Sequence, residues 1–281
     1  MQIINDKSCG WINDLPKRFN IKSVSKNEKC DFLIVGAGYT GLSAARKLSE
    51  INSKFKIIII DAQLAGEGAS GRNSGYLVDT TLNDSYSFKR DIEAYKTKLK
   101  IYDLGIKTIK QFLKDYQVDC DLNECGKYFA SSLKKDISKL LKFKKILDNL
   151  NFENQILNEA QLKKKLGTNF YKTGIFTKGG ILLHPAKLAR AMVDVLPENV
   201  TLLENSFLKS WKKTNGKIET KVNNNDIISN KIIFCSNGFL SNMNIKKRFN
   251  FPLTLTASMT RQLTDKEYSL IGSPKEWGVL P

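Results

Sequence analysis

The sequence predicts an α/β fold, a Rossmann-like three-layer domain with a second, α+β domain interleaved in it, on three observations. Two short apolar runs, Asp31–Val35 and Lys56–Ile60, have the continuous character of strands buried on both faces. The glycine turn Gly36-Ala37-Gly38-Tyr39-Thr40-Gly41 links the first run to a helix-spaced stretch, Leu42 to Glu50. A long stretch of helical period, Tyr86 to about Gly167, then separates these elements from a β-rich return.

Each element follows from its residues. Met1 to Lys29 is polar and irregular, with Trp11 and Pro16 as anchors and packing as the task of Trp11. Ile57 to Ile60 is β-branched throughout, which suits a pleated, buried surface. Gly66 to Gly75 is a glycine-rich loop. In the helical stretch, Ile137, Leu140, Leu141, Ile146, Leu147 and Leu150 form one apolar stripe with lysines opposite, and Gly126–Ala130 interrupts the helices as a strand. Gly174 to Leu183 reads as a strand broken at Gly179-Gly180, and Pro185 suits the first turn of a helix running to Leu196. Val200–Leu203, Ile218–Val222 and Ile232–Cys235 are the returning strands. The expected division is a nucleotide-binding domain over 1–82 and 184–240, a helical and substrate-domain insertion over 83–183, and an incomplete substrate-domain sheet over 241–281.

The glycine turn carries the chemistry. Gly36 permits the tight strand-to-helix turn, Gly38 lets backbone approach a pyrophosphate, and Gly41 lets helix and strand pack closely. The helix N-terminus offers free N–H groups and a positive dipole to phosphate. Asp61 stands 20 residues beyond Gly41, at the end of the next strand, where a carboxylate accepts both ribose hydroxyls and repels a 2′-phosphate. Ala62 follows it at the same strand end. The second glycine-rich loop, with Gly68, Ala69, Ser70, Arg72, Asn73, Ser74 and Gly75, has no task in an NAD dehydrogenase. It has one in a flavoprotein, where FAD continues past the pyrophosphate to a ring that backbone must approach. The Arg72 guanidinium in that loop suits phosphate or flavin contact.

The composition excludes other classes. The 281 residues carry a formal charge of +17, but only seven of the 45 basic residues are arginine. The lysines are scattered rather than gathered on one face with stacking aromatics, so a nucleic-acid partner is not expected. Five cysteines without a C-x-x-C pair and the single histidine, His184, supply no zinc set, so no metal is expected. No apolar run approaches the roughly 20 residues that span a bilayer. The first fourteen residues lack a secretory profile, and the expected location is cytoplasmic.

At these residues the chain resembles the D-amino-acid-oxidase-like (DAO) superfamily of FAD-dependent oxidoreductases, and within it a γ-glutamylputrescine-oxidase-like branch. Asp31 to Leu48 is similar to its first strand, turn and helix, and Gly68-Ala69-Ser70-Gly71-Arg72-Asn73 to its second FAD segment. Gly179-Gly180 with Leu183-His184-Pro185 resembles its later strand-to-helix transition. The resemblance places the Leu208 backbone against adenine and Ser236-Asn237-Gly238 in a third FAD segment. It implies an FAD/NAD(P)-binding Rossmann-like fold with an α+β substrate domain, a small amine or amino-acid substrate and hydride transfer to flavin without a universal side-chain base. No catalytic side chain is assigned. Noncovalent FAD follows because Asn73 and Ser74 stand where covalent relatives place histidine. Relatives run on for about another hundred residues, which adds sheet strands and a glycine-rich segment at the flavin. Two rival readings are an FAD enzyme acting on a tRNA base, suggested by the basic balance, and a truncated, non-catalytic remnant. Arg261 could meet a substrate carboxylate or face solvent, and Lys163-Lys164-Lys165 is a solvated face.

Overall fold

The computed structural model describes residues 8–80, 92–245, 249, 253, 255–272 and 278–280. In chain order the elements are α1 (Gly10–Asn13), β1 (Glu28–Val35), α2 (Tyr39–Ile51), β2 (Ile57–Ile60), β3 (Tyr76–Val78), α3 (Ile92–Asp115), β4 (Lys127–Ser131) and α4 (Ile137–Asn149). Then come β5 (Asn154–Asn158), α5 (Glu159–Leu166), β6 (Thr173–Thr177), β7 (Gly180–Leu182), α6 (Pro185–Asp194) and β8 (Val200–Leu203). The last are β9 (Leu208–Thr214), β10 (Lys217–Val222), β11 (Asn225–Phe234), α7 (Asp265–Leu270) and β12 (Val279–Leu280). They form two compact units, Met1–Ser74 with Pro185–Ala257, and Gly75–His184 with Ser258–Pro281.

The first unit is built on a six-stranded sheet of order β8-β2-β1-β11-β10-β9. Its β8, β2, β1 and β11 are parallel, while β10 and β9 return antiparallel. The apolar runs of β1 and β2 are continuous because both faces are covered. Ile34, Ile57 and Ile59 pack beneath Leu42 and Ala45 of α2 and Val193 of α6. Leu33, Val35, Ile58 and Ile60 face the other way, against Val24, Leu208, Val222 and Ile227. This is the predicted three-layer arrangement, with the centre of the sheet buried on both sides.

The second unit holds a four-stranded sheet, β12-β4-β6-β5, and the two-stranded antiparallel sheet β3-β7. Gly174–Leu183 is therefore two strands in different sheets rather than one broken strand, because β6 pairs with β4 and β5 while β7 pairs with β3. The α4 stripe also differs from the predicted one. Leu140, Phe143, Ile146 and Leu147 are buried, whereas Ile137 and Leu141 are exposed. The aromatic ring of Phe143 packs on Phe129 of β4 at 4.8 Å and sets which face turns inward. Of the sheet expected over 241–281, Val279–Leu280 pairs, with β4, and residues 255–264 take no regular structure. The first unit runs to Ala257 rather than to 240 and yields to the second at Ser74/Gly75, while the expected 82/83 boundary and Tyr86 lie outside the described residues.

The corrected stripe gives a direct contrast in stability. Leu147→Ala empties a fully buried site and should cost about 2–5 kcal/mol, whereas Leu141→Ala should stay within about 0.5 kcal/mol. Urea denaturation of the two variants checks this, and equal midpoints would refute the assigned face.

Candidate cofactor site

The carboxyl ends of β1, β2 and β11 open into a cleft of about 730 Å³ in the first unit. Val35, Ile60 and Phe234, the last residues of those strands, line it. A crevice outside the carboxyl ends of parallel strands is where open α/β sheets take ligands.

The glycine turn forms one wall, through Gly36, Gly38, Tyr39 and Thr40. Gly36 has φ +107°, and a side chain there would also strike the Cys235 carbonyl. Gly41 lies behind the wall, in the first turn of α2. A Cβ at Gly41 would fall on the Gly36 carbonyl oxygen, so the helix can start this close to the turn only without one. The first amides of α2 lack helical acceptors by position and are available to a ligand on the cleft side. One of them is held from the second loop, where the Tyr39 N–H donates to Ser70 Oγ at 3.0 Å. The Tyr39 phenol donates to the Pro185 carbonyl at 2.7 Å and ties α2 to α6.

Asp61, just past the end of β2, lines the cleft beside the glycine turn. Its Oδ2 accepts the Ala37 N–H at 2.7 Å and its Oδ1 accepts the Gln63 N–H at 2.9 Å. The carboxylate thus bridges the glycine turn to the segment after β2, and each oxygen keeps lone-pair capacity. Burial pushes its pKa up; the two amide hydrogen bonds pull it down, and Glu204 adds to the rise.

The second loop brings Gly68, Ala69, Ser70 and Arg72 to the cleft, with Ala62 beside Asp61. Arg72 is steadied by its Nε, which donates to the Glu67 carbonyl at 2.7 Å. Leu208, Ser236 and Asn237 also line the cleft, while Gly238 does not. Asn73 and Ser74 do not line it either, and the Asn73 side chain is spent inside the loop, donating to the carbonyls of Ala69 and Ser70. The Asn73 carbonyl accepts from Trp11 Nε1 at 3.0 Å, so Trp11 braces the loop. Gly75 belongs to the second unit, where its carbonyl accepts the Leu183 N–H.

Several cleft residues had no sequence signal. Gln63 and Phe207 line it from loops, and Phe239, Leu240 and Met243 from a 3-10 helix, Asn237–Met243, all of ordinary composition. Arg261 is exposed and forks onto Glu267, holding that carboxylate down at about 2, so its role is local. His184 is buried in the second unit, with its amide donating to the Cys120 carbonyl. Lys163, Lys164 and Lys165 are exposed on the last turn of α5.

The residues present fit a dinucleotide. The turn has room where a Cβ would otherwise stand, the acid is braced, and the cleft volume is that of a cofactor site. Comparison with known proteins agrees. The profile of the family described as DAO, FAD dependent oxidoreductase, matches residues 31–274. The chain is 26% identical over 236 residues to the probable oxidoreductase OrdL of Haemophilus influenzae, across 79% of this chain and 52% of that protein. It is 28% identical over 190 residues to the gamma-glutamylputrescine oxidoreductase of Escherichia coli, across 63% and 42%. In fold it is similar to glycine oxidase from Geobacillus kaustophilus, with TM-score 0.66 at 14% identity, across 77% of this chain and 58% of that one. The chain spans about half the length of the curated relatives it matches. Among the described residues no helix is long and apolar enough to cross a membrane.

Two outcomes follow from this geometry. Alanine in a helix ordinarily gains about 1 kcal/mol over glycine, yet Gly41→Ala should lose about 1–3 kcal/mol because the obstacle is backbone. Gly68→Ala meets open space and should leave the melting temperature unchanged. Thermal melts of the two variants, side by side, check the pair. Asp61 binds its proton more tightly folded than unfolded, so its contribution to stability is full below the ordinary aspartate range. That contribution is lost as pH rises through the raised value. A carboxyl NMR titration of flavin-free protein should place its midpoint above that of an ordinary aspartate.

Proposed function

The chain belongs to the DAO family of FAD-dependent oxidoreductases, and from that premise we propose that it serves the oxidation of an amine or amino acid at the carbon bearing nitrogen. The observation that carries the reading is the pairing of two glycine-rich segments at one cleft, with Ser70 of the second capping the helix that the first begins. A mononucleotide or NAD site needs only the first segment. The names of the relatives lend the substrate class: the Escherichia coli protein is a gamma-glutamylputrescine oxidoreductase and the Geobacillus kaustophilus protein a glycine oxidase.

When bound, FAD supplies the acceptor for a hydride from the carbon that bears the amine nitrogen. The chain contributes binding and orientation. In this reading the first-turn amides of α2 hold the pyrophosphate, and Asp61 accepts from the adenosine ribose. The start of β9 at Leu208 meets the adenine, with Ser236 and Asn237 alongside. Arg72, oriented by Glu67, answers phosphate or flavin oxygens. FAD is held without a covalent bond.

The test is anaerobic mixing of the flavin-loaded, full-length protein with a panel of primary amines, secondary amines and amino acids. Loss of the yellow flavin absorbance with at least one of them, reversed by an electron acceptor, is the expected result. A panel that leaves the spectrum unchanged overturns the substrate class, while a spectrum bleached by dithionite shows that the flavin itself is competent.

A further inference from the structure

Glu204, the residue after β8, is a buried carboxylate whose charge reaches Asp61. Its side chain is 3% exposed. The Ser206 N–H donates to the Asp61 carbonyl and the Asp61 N–H to the Leu203 carbonyl, so the strand ends carrying the two acids are laced together. Two carboxylates that feel one another in a low-dielectric setting oppose each other's charge, and both oppose a pyrophosphate.

Relief comes from the irregular N-terminal segment. Arg18 forks onto Glu204, with Nη1 on Oε1 and Nη2 on Oε2 at 2.9 Å, and is itself only 15% exposed. Glu204 Oε1 also accepts the Ala65 N–H at 2.6 Å, which fixes the backbone between Asp61 and the second glycine loop. The segment is set in register by backbone. The Glu204 N–H donates to the Lys22 carbonyl, and the Val24 N–H donates to Ser206 Oγ. A second cation stands nearby: Arg190 donates to the Pro16 carbonyl, lies 4.0 Å from Glu67, and feels Arg18, Asp194 and Glu204 as well, but it is Arg18 that forks onto the Glu204 carboxylate.

We infer that Arg18 is a positioning residue of the cofactor cleft, which neutralises Glu204 and leaves Asp61 the one anionic group at the ribose end among the described residues. The inference rests on the FAD reading for its purpose, though not for its test. The fork is more than a clamp, because its effect depends on charge. Burial alone does not explain it either, since a buried carboxylate left unpaired is costly and drives up the proton affinity of its neighbour.

Three variants of the whole chain separate these roles: Arg18→Gln, Glu204→Gln and the double. Glutamine at 204 keeps an oxygen for the Ala65 N–H. In flavin-free protein the Asp61 carboxyl midpoint should rise by about one pH unit in Arg18→Gln. It should fall in Glu204→Gln and return close to wild type in the double. FAD affinity, read by quenching of flavin fluorescence, should drop roughly tenfold or more in Arg18→Gln and recover in the double. An unmoved Asp61 midpoint in the single variants, or a double as weak as Arg18→Gln, would overturn the inference. Should Arg18→Gln fail to fold by circular dichroism, Glu204→Gln decides alone, since its midpoint must fall. A wild-type chain that takes up no FAD counts against the cofactor role of this cleft, and the flavin-free Asp61 titration still decides the role of Arg18.

Discussion

The rest of the first unit depends on one contact, the backbone of α2 lying against the backbone of the turn that precedes it. Without a Cβ at Gly41 the helix begins at the tip of β1 rather than a residue's width away. That placement puts Leu42 and Ala45 onto Ile34, Ile57 and Ile59 and brings the first-turn amides to the mouth of the cleft. The buried sheet and the glycine turn at the cleft are therefore the same structural decision. The segment after β2 then comes back to the turn through Asp61, and the second loop comes back through Ser70. Three separate stretches of chain meet at one helix start.

Much of this was legible in the sequence because it depends on short-range patterns. β1, α2 and β2 follow from two apolar runs around a glycine turn, and Asp61 from its distance to that turn. What was not legible depends on distant partners. Arg18 and Glu204 are 186 residues apart, and nothing local marks either as buried. β9 was missed because Leu208–Thr214 is lysine-rich, its outer face is in solvent, and its pairing with β10 supplies the order that its composition lacks. On α4 the period was right and Leu140, Ile146 and Leu147 are buried as expected, but the stripe is shifted at its edge, since the choice between Leu141 and Phe143 is made by the Phe129 ring on another element. Asn73 looked like a ligand residue from its motif, but the loop needs its amide to close on itself.

The charge of the chain is the feature most easily misread. A total of +17 suggests an anion site built of lysines, yet among the described residues no lysine lines the cleft, and the charged ones that do are Asp61 and Arg72. What the cleft offers an anion is amides and a helix dipole, which are fixed by the fold and would lose no side-chain entropy on binding. Lysines are instead paired along the surface, as Lys212 with Glu219 and Lys221 with Asp226, where such pairs contribute little. Global charge and local recognition are thus decoupled. The decoupling makes the buried acids matter more, because Glu204 lies behind the surface where the scattered lysines do not reach it. An arginine from the N-terminal segment meets that need: its rigid fork satisfies both carboxylate oxygens at once, which a lysine point charge cannot do.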